Sequence, residues 1–326
     1  MLEELTARGG AILLHDIGGT AGTKVRGVLR AMLAILTGGK QRDRAYLSVP
    51  GQAGVWLFVP LVLLMRLRGI VHVIHHHSFR PINLGPARNM RMLVAAGGAF
   101  QRHVLLSTNM KDRFAGLYLA GHDYRAITLS NAYLFGPRLT NTLRPSRPIT
   151  LGHMSVLTPE KGVAYLLDVF AVLAARGHEW RLVIAGPCAD PLLRDALTAA
   201  VAGYCGRVEY RGAIDGDEKE RFFADVDLFV LPTTLIDEAE PLVMLEAYGR
   251  GIDVVANDTG CIRDRIRTLA NLLTRDREAD ATLIEAVIGA AARDWATNRQ
   301  ACVDHAGAIK VLADAEAAAF FPQLLA

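Results

Sequence analysis

Cysteine is scarce in this 326-residue chain, and the four present, Cys188, Cys205, Cys261 and Cys302, stand far apart with no C-x-x-C pair. That excludes a zinc knuckle, a dithiol redox motif and a disulfide scaffold, and leaves reduced thiols as the expectation. Long apolar runs are missing as well. The longest, Val55 to Met65, covers 11 residues, whereas a membrane-spanning helix takes about 20. This run reads as a buried helix first and an interfacial one second, because Trp56, Phe58, Arg66 and Arg68 suit the edge of a bilayer. Low-complexity sequence is absent, and the opening MLEELTARGG lacks the charged-then-apolar layout of a signal peptide, which predicts a cytoplasmic protein. With 51% apolar and 21% charged residues, the composition is that of a folded globular protein long enough for two domains.

The net charge of +3 is unevenly spread. Residues 1–140 hold 17 Lys or Arg against 6 Asp or Glu, and residues 141–326 hold 19 against 27. The basic first half predicts an acidic partner, either a phosphorylated acceptor or an anionic membrane surface. A solvated Arg-rich face is the plainer alternative. Nothing in the pattern calls for nucleic acid.

Short β-rich apolar runs alternate with longer helical patterns, which implies βα units and mostly parallel sheets. Strands are expected near Ala11–His15, Ala45–Val49, Val71–His75, His103–Ser107 and Ala126–Leu129. Helices fall near Thr23–Thr37, Val55–Leu67, Ala87–Phe100 and Asn109–Tyr118. The periodicity lapses in LFGPRLTNTLRPSRP, which reads as a linker and hinge around Pro137–Pro148. A second series follows, with strands at Ile149–Ser155, Arg181–Ala185, Val208–Tyr210, Leu228–Leu231 and Asp253–Ala256. Its helices fall near Val163–Ala175, Pro191–Ala202, Glu218–Ala224 and Leu242–Gly249. Residues 281–326 read as helix nearly throughout. The expectation is an α/β protein of two Rossmann-like domains facing a central cleft: an acceptor domain over 1–140, a donor domain over 149–305, and a terminal helix over 306–326 that packs back on the first.

The segment Glu238-Ala239-Glu240-Pro241-Leu242-Val243-Met244-Leu245-Glu246 carries the chemistry. Pro241 suits the first turn of a helix, with Glu238 just before it and Glu246 a turn into it. A carboxylate accepts hydrogen bonds from two neighbouring hydroxyls, which fits a sugar or a ribose. Acidic residues favoured by a helix N-terminus are the plain alternative.

This stretch, with AYGRGIDVVANDTG after it, resembles the E-x7-E signature of retaining glycosyltransferase family four, a family with the GT-B fold that includes bacterial cell-surface polysaccharide enzymes. The resemblance implies that Glu238 touches the transferred sugar, that Glu246 holds the nucleotide ribose, and that Pro241 and Leu242 line the donor. Glu240 departs from the family, which has an apolar residue or Gly there, and it implies an extra charge beside the donor. LGHMSVLTPEKGVAYLLDVF is similar to the family's first donor-domain strand, turn and helix, which gives Lys161 the donor diphosphate. Val156 stands where many members have a second basic residue. RLVIAGPCAD and RVEYRGAIDGDE are similar to the segments that place Gly186 against the nucleotide and Gly212 to Ile214 along the base.

The first half matches more loosely. Gly18 and Gly19 resemble the family's N-terminal Gly-Gly loop near the donor phosphates, where the absence of Cβ permits close approach. The run Gly18 to Lys24 lacks P-loop spacing. Val71 to Ser78 ends a strand in three histidines. Alternation puts His75 and His77 on one side and His76 on the other, a poor arrangement for a three-histidine metal site. The resemblance makes His75 the residue near the donor sugar, with His76, His77 and Arg80 on the acceptor side; a structural His at a strand end is the alternative. Ser107 and Asn131 match family positions near the hinge. Asp225-Val226-Asp227 spells D-x-D but sits between a helix and a buried strand, and it reads as structural.

The function expected from the resemblance is metal-independent transfer of a sugar, with retention, from a nucleotide-diphosphate-sugar to an acceptor hydroxyl. The setting would be surface polysaccharide or glycolipid assembly, with Glu238, His75 and Lys161 as the catalytic group and no cofactor beyond the donor. A lipid-linked or phosphorylated acceptor would put the protein in the cytoplasm, with a peripheral position on the inner face of the membrane as a further option. A nucleotide-sugar 2-epimerase of the same fold and a non-catalytic sugar-binding subunit are the alternatives.

Overall fold

The computed structural model describes residues 12–15, 17, 20–40, 43–135 and 148–325. It divides into two compact units, Met1–Ser130 with Ala313–Ala326, and Asn131–Leu312.

The first unit opens with α1 (Ala21–Gly38), started by Thr20, whose hydroxyl accepts from the Thr23 amide. Four parallel strands follow in the spatial order of the chain: β1 (Arg44–Val49), β2 (Val71–His76), β3 (Gln101–Leu105) and β4 (Ala126–Thr128). The connections carry α2 (Val55–Leu67), the short α3 (Arg80–Asn83), α4 (Arg88–Gly97) and α5 (Thr108–Tyr118). With neighbouring strands joined in sequence order, right-handed crossovers lay the connecting helices on one face of the sheet. α2 packs between α1 and α4, and the core beneath includes Leu61, Ile74, Leu93, Leu105 and Phe114.

Two expectations fail here. Residues 12–15 form no strand. Leu13 and Leu14 are exposed, so the β-rich composition of that run meets no pairing partner. The third strand ends at Leu105, because Ser107 begins the next helix and its hydroxyl accepts from the Met110 amide at 3.1 Å. The run Val55 to Met65 forms a helix, as expected: α2 buries Val55, Phe58, Leu61, Val62 and Met65 and leaves Trp56 and Leu63 exposed.

The second unit is doubly wound. Its parallel strands are β5 (Thr150–Met154), β6 (Arg181–Ala185), β7 (Val208–Tyr210), β8 (Leu228–Leu231) and β9 (Asp253–Ala256), in the order β7-β6-β5-β8-β9. Between them lie α6 (Val163–Ala175), α7 (Pro191–Gly203), α8 (Gly216–Asp225) and α9 (Leu242–Gly249), followed by α10 (Ile262–Arg265) and α11 (Arg277–Arg293). The inner strands β6 and β8 are apolar nearly throughout because both faces of the sheet are covered. One core layer includes Leu151, Leu166, Phe170, Leu182 and Ile284, and the other includes Val183, Phe222, Phe229, Met244 and Tyr248.

The terminal helix is interrupted rather than continuous. Asp294 takes an extended conformation after α11 and caps α12 (Trp295–Leu325), accepting from the Thr297 amide at 3.0 Å and from its hydroxyl at 2.6 Å. These bonds hold the Asp294 carboxyl below the usual carboxylate range. Residues of α12 up to Leu312 belong to the second unit and those from Ala313 to the first, where the Glu316 carboxylate accepts from the Ser130 amide at 2.9 Å.

Candidate functional site

The strand order of the second unit reverses between β5 and β8. Chains leaving the carboxyl ends of strands at such a point diverge and open a crevice, the place where doubly wound sheets bind ligands. The two segments that leave β5 and β8 deliver Lys161 and Glu238.

After β5 the chain runs through Ser155 to a single 3₁₀ turn, Pro159–Lys161, and then Gly162 in the left-handed region (φ 78°) starts α6. Glycine is required there, since a Cβ would lie 2.2 Å from the Pro232 carbonyl oxygen. The turn is tied to the segment beyond β8 by the Thr234 amide, which donates to the Glu160 carbonyl at 2.7 Å. α6 has no side-chain cap, so its first amides remain available to an anion.

Glu238 is held from both sides. Its Oε2 accepts from Lys161 Nζ at 2.6 Å and from the Thr233 hydroxyl at 3.1 Å. Its backbone is packed against the loop after β9: a Cβ at Gly260 would come within 2.4 Å of the Glu238 carbonyl oxygen, and the Cys261 amide donates to the Ala239 carbonyl at 2.7 Å. Eight residues on, Glu246 in α9 accepts from Lys219 Nζ of α8 at 2.7 Å. Each signature carboxylate therefore carries its own ammonium partner. Pro241 is the residue that precedes the first turn of α9, and Leu242 begins the helix.

Glu240, which the resemblance reads as an extra charge beside the donor, is paired within the protein. Its side chain is fully buried, one oxygen accepting from Arg265 Nε at 2.6 Å and the other from the Asn131 amide at 2.7 Å. The guanidinium neutralises it, and Asn131, singled out near the hinge, turns out to anchor the start of this unit. The D-x-D run is engaged in the same structural manner: Asp225 accepts from Arg211 and Asp227 from the Thr150 amide. Among the described residues no group of three or more His, Cys, Asp or Glu side chains is arranged to hold a metal ion.

Gly186 is needed for a reason other than ligand approach. With φ 124°, a Cβ there would fall 1.7 Å from the Ser155 carbonyl oxygen, so the chain ends of β5 and β6 cross only over glycine. Ile214 is half-buried against the core layer of Val183 and Met244. Val156 is solvent-exposed.

Two residues escaped the sequence reading. Lys219 gave no motif signal, because the contact is made across α8 and α9. His153, inside β5, bonds the Val230 carbonyl through Nδ1 and the Ser155 hydroxyl through Nε2, both at 2.9 Å. Burial, with Lys161 adding to it, pushes its pKa down to about 4, against the opposing bond to Val230. It is a neutral imidazole that fixes Ser155 at the carboxyl end of the strand.

The consecutive histidines His75 to His77 lie at the end of β2. Nδ1 of His75 is hydrogen-bonded to the Tyr46 hydroxyl, and its buried Nε2 has no partner among the described residues. When Tyr46 donates, Nε2 carries the proton and becomes a donor. His76 points the other way and bonds His103 at 3.0 Å. His77 is exposed and its ring lies 4.0 Å from that of His75, so alternation along the strand is as expected. Burial drives His75 and His76 well below the usual imidazole range, and His103 down to about 3. Arg80 opens α3, its amide donating to the Ser78 hydroxyl at 3.1 Å. Gly18 and Gly19, and the linker from 136 to 147, lie outside the described residues.

Residues 148–292 match the family model described as Glycosyl transferases group 1. Anabaena HepE, solved in complex with UDP, superposes with a TM-score of 0.64 at 18% identity, over 87% of this chain and 77% of that one. Sucrose-phosphate synthase from Thermosynechococcus elongatus gives 0.69 at 16% identity, over 94% and 80%. The fold is GT-B. A glycosyltransferase from Rickettsia africae shares it, with a TM-score of 0.66 at 12% identity over 99% and 87% of the two chains. No curated protein matches the chain by sequence. Within the GT-B frame, Lys161, Gly186, Lys219, Glu238 and Glu246 all fall inside the segment that the group 1 family model covers. No described helix is long and apolar enough to cross a membrane.

Proposed function

We propose that this protein is a retaining glycosyltransferase that moves a sugar from a nucleotide-diphosphate-sugar to an acceptor hydroxyl in surface polysaccharide or glycolipid assembly. The observation that carries the reading is the meeting of Lys161 and Glu238 at the switch point of a doubly wound sheet, at 2.6 Å, inside a segment that matches the group 1 glycosyl transferases.

In this reading the donor diphosphate takes its place at the start of α6. There the Lys161 ammonium and the uncapped amides meet the charge that develops on the departing phosphate. Glu238 accepts from hydroxyls of the transferred sugar, and Glu246 from the ribose. Catalysis then comes from positioning and electrostatics rather than from a covalent nucleophile. The reaction is metal-independent, since Lys161 and the helix amides supply the positive charge, and a chelator would leave it unchanged. The acceptor carries phosphate or a lipid, in keeping with the basic first half. HepE has been solved with UDP and with UDP-glucose, which makes a uridine nucleotide the first donor to try.

Calorimetric titration of UDP, GDP and ADP tests the donor site. One nucleotide is expected to bind, and Lys161→Ala and Glu246→Ala are each expected to weaken it. Binding of none of the three by the folded protein would remove the catalytic reading. Donor breakdown that needs no acceptor would favour the epimerase.

A further inference from the structure

The layer formed by α1 and α2 carries an apolar surface that neither the core nor the donor chemistry uses. α1 buries Val28 and Ala31, whereas Val25, Leu29, Leu33 and Leu36 are all exposed, Leu29 at 60% and Leu36 at 51%. At 3.6 residues per turn these four fall within an arc of about 80°. On α2 the exposed residues Trp56, Pro60, Leu63 and Leu67 recur at helical spacing and fall within about 60°; Trp56 is 50% and Leu67 75% exposed. The two helices pack side by side. Arg68 at the end of α2 donates to the Leu36 and Gly39 carbonyls at 3.2 and 2.7 Å, which ties the ends of the two helices together. Exposed apolar stripes on two neighbouring helices mark an interaction surface rather than scattered apolar residues.

Charge says what the surface meets. From Ile17 to Lys111 the sequence has 13 Lys or Arg and a single acid, Asp43. Arg26 and Arg30 flank the α1 stripe on the same helix, and Arg66 and Arg68 end α2. A second copy of the chain would bring like charges together, whereas an anionic lipid surface supplies the opposite sign. Apolar residues with an interfacial Trp on one face and cations beside them are the composition of helices that lie in the plane of a bilayer.

We infer that α1 and α2 dock flat on an anionic membrane, the stripe of Val25, Leu29, Leu36, Trp56, Leu63 and Leu67 entering the acyl boundary and the flanking arginines meeting lipid phosphates. The inference deepens the proposed reading of a lipid-borne acceptor. It stands on side chains that take no part in donor binding, so the two can fail separately.

The test is co-sedimentation of the full chain with vesicles of phosphatidylcholine alone and of phosphatidylcholine with phosphatidylglycerol. Binding is expected to the anionic vesicles only, and added salt is expected to release it. Leu29→Glu with Leu63→Glu is expected to weaken binding at least tenfold, and so is Arg26→Gln with Arg30→Gln. Thermal melting and nucleotide titration should stay as in the parent. A folded, nucleotide-binding protein that ignores both vesicles, binds both equally, or forms a dimer that the leucine variants dissolve would overturn the inference. Loss of nucleotide binding in the parent would instead overturn the donor reading.

Discussion

Arg265 and Glu240 form a buried ion pair, Nε to Oε1 at 2.6 Å, whose second carboxylate oxygen holds the backbone amide of Asn131. The pair fastens the first residue of the second unit to the loop that carries Glu238. Removing one partner of a buried pair leaves an uncompensated charge, which typically costs about 3–5 kcal/mol. Glu240→Ala is therefore expected to lower stability by that order in chemical denaturation. Arg265→Ala should do nearly the same, and the double variant should cost less than the sum of the two. A purely additive cycle would mean that the two side chains act independently.

Lys161 bonds Glu238, and in the proposed reading its ammonium is shared with the donor diphosphate. A charge-assisted hydrogen bond is worth about 1.5–3 kcal/mol. Lys161→Met is expected to weaken nucleoside diphosphate binding about tenfold to a hundredfold and to leave the nucleoside monophosphate nearly unaffected. An equal loss for both nucleotides in calorimetry would place Lys161 away from the phosphates.

Lys219 gives a contrasting case. It orients Glu246, which in the proposed reading holds the ribose, and Lys219→Ala should weaken mono- and diphosphate alike, by about tenfold. Lys219→Arg should recover part of the loss, since a guanidinium still donates to the carboxylate. Unchanged affinity in the alanine variant would leave the Lys219–Glu246 pair a packing contact only.

The donor half was legible because local signals and topology agree there. Strands β6 to β9 fall where the β-rich runs lie, and the spacing of Glu238, Pro241 and Glu246 sets a loop and the first turns of α9. Four features were not legible. Partners brought together across elements, Lys219 with Glu246 and Arg265 with Glu240, leave no trace in linear spacing. Gly186 was read for ligand approach, but the crossing of β5 and β6 past the Ser155 carbonyl decides it. The run at residues 12–15 has strand composition without strand pairing, and composition alone cannot supply a partner. The exposed stripe of α1 was hidden because the same leucines serve equally well as core.

Gly186 gives a sharp stability test. A Cβ placed 1.7 Å from the Ser155 carbonyl oxygen, at φ 124°, needs both a backbone rotation and a separation of two strand ends. Gly186→Ala is expected to lose about 3–5 kcal/mol, the range reserved for severe strain. Gly116→Ala, with nothing within 4 Å of the new methyl and a position inside α5, should be neutral or slightly stabilising. Comparable urea midpoints for the two variants would contradict the crossing.

The buried histidines set the response to acid. Burial lowers His103 to about 3 and His153 to about 4, and holds His75 and His76 well below the usual range. A depressed folded pKa means that the unfolded chain binds the proton first. The stability these neutral imidazoles contribute is thus fully present above pH ~6.5, the unfolded value, and is lost as pH falls toward the folded values. Each contributes a slope of up to about 1.4 kcal/mol per pH unit within that window. Melting temperature should be level above neutrality and fall steeply between about pH 6.5 and pH 4. His153→Gln, which keeps a donor for Val230 and an acceptor for Ser155, should flatten the slope by about one proton while leaving the plateau nearly in place. A variant that shifts the whole curve down without changing its slope would assign the acid sensitivity to other groups.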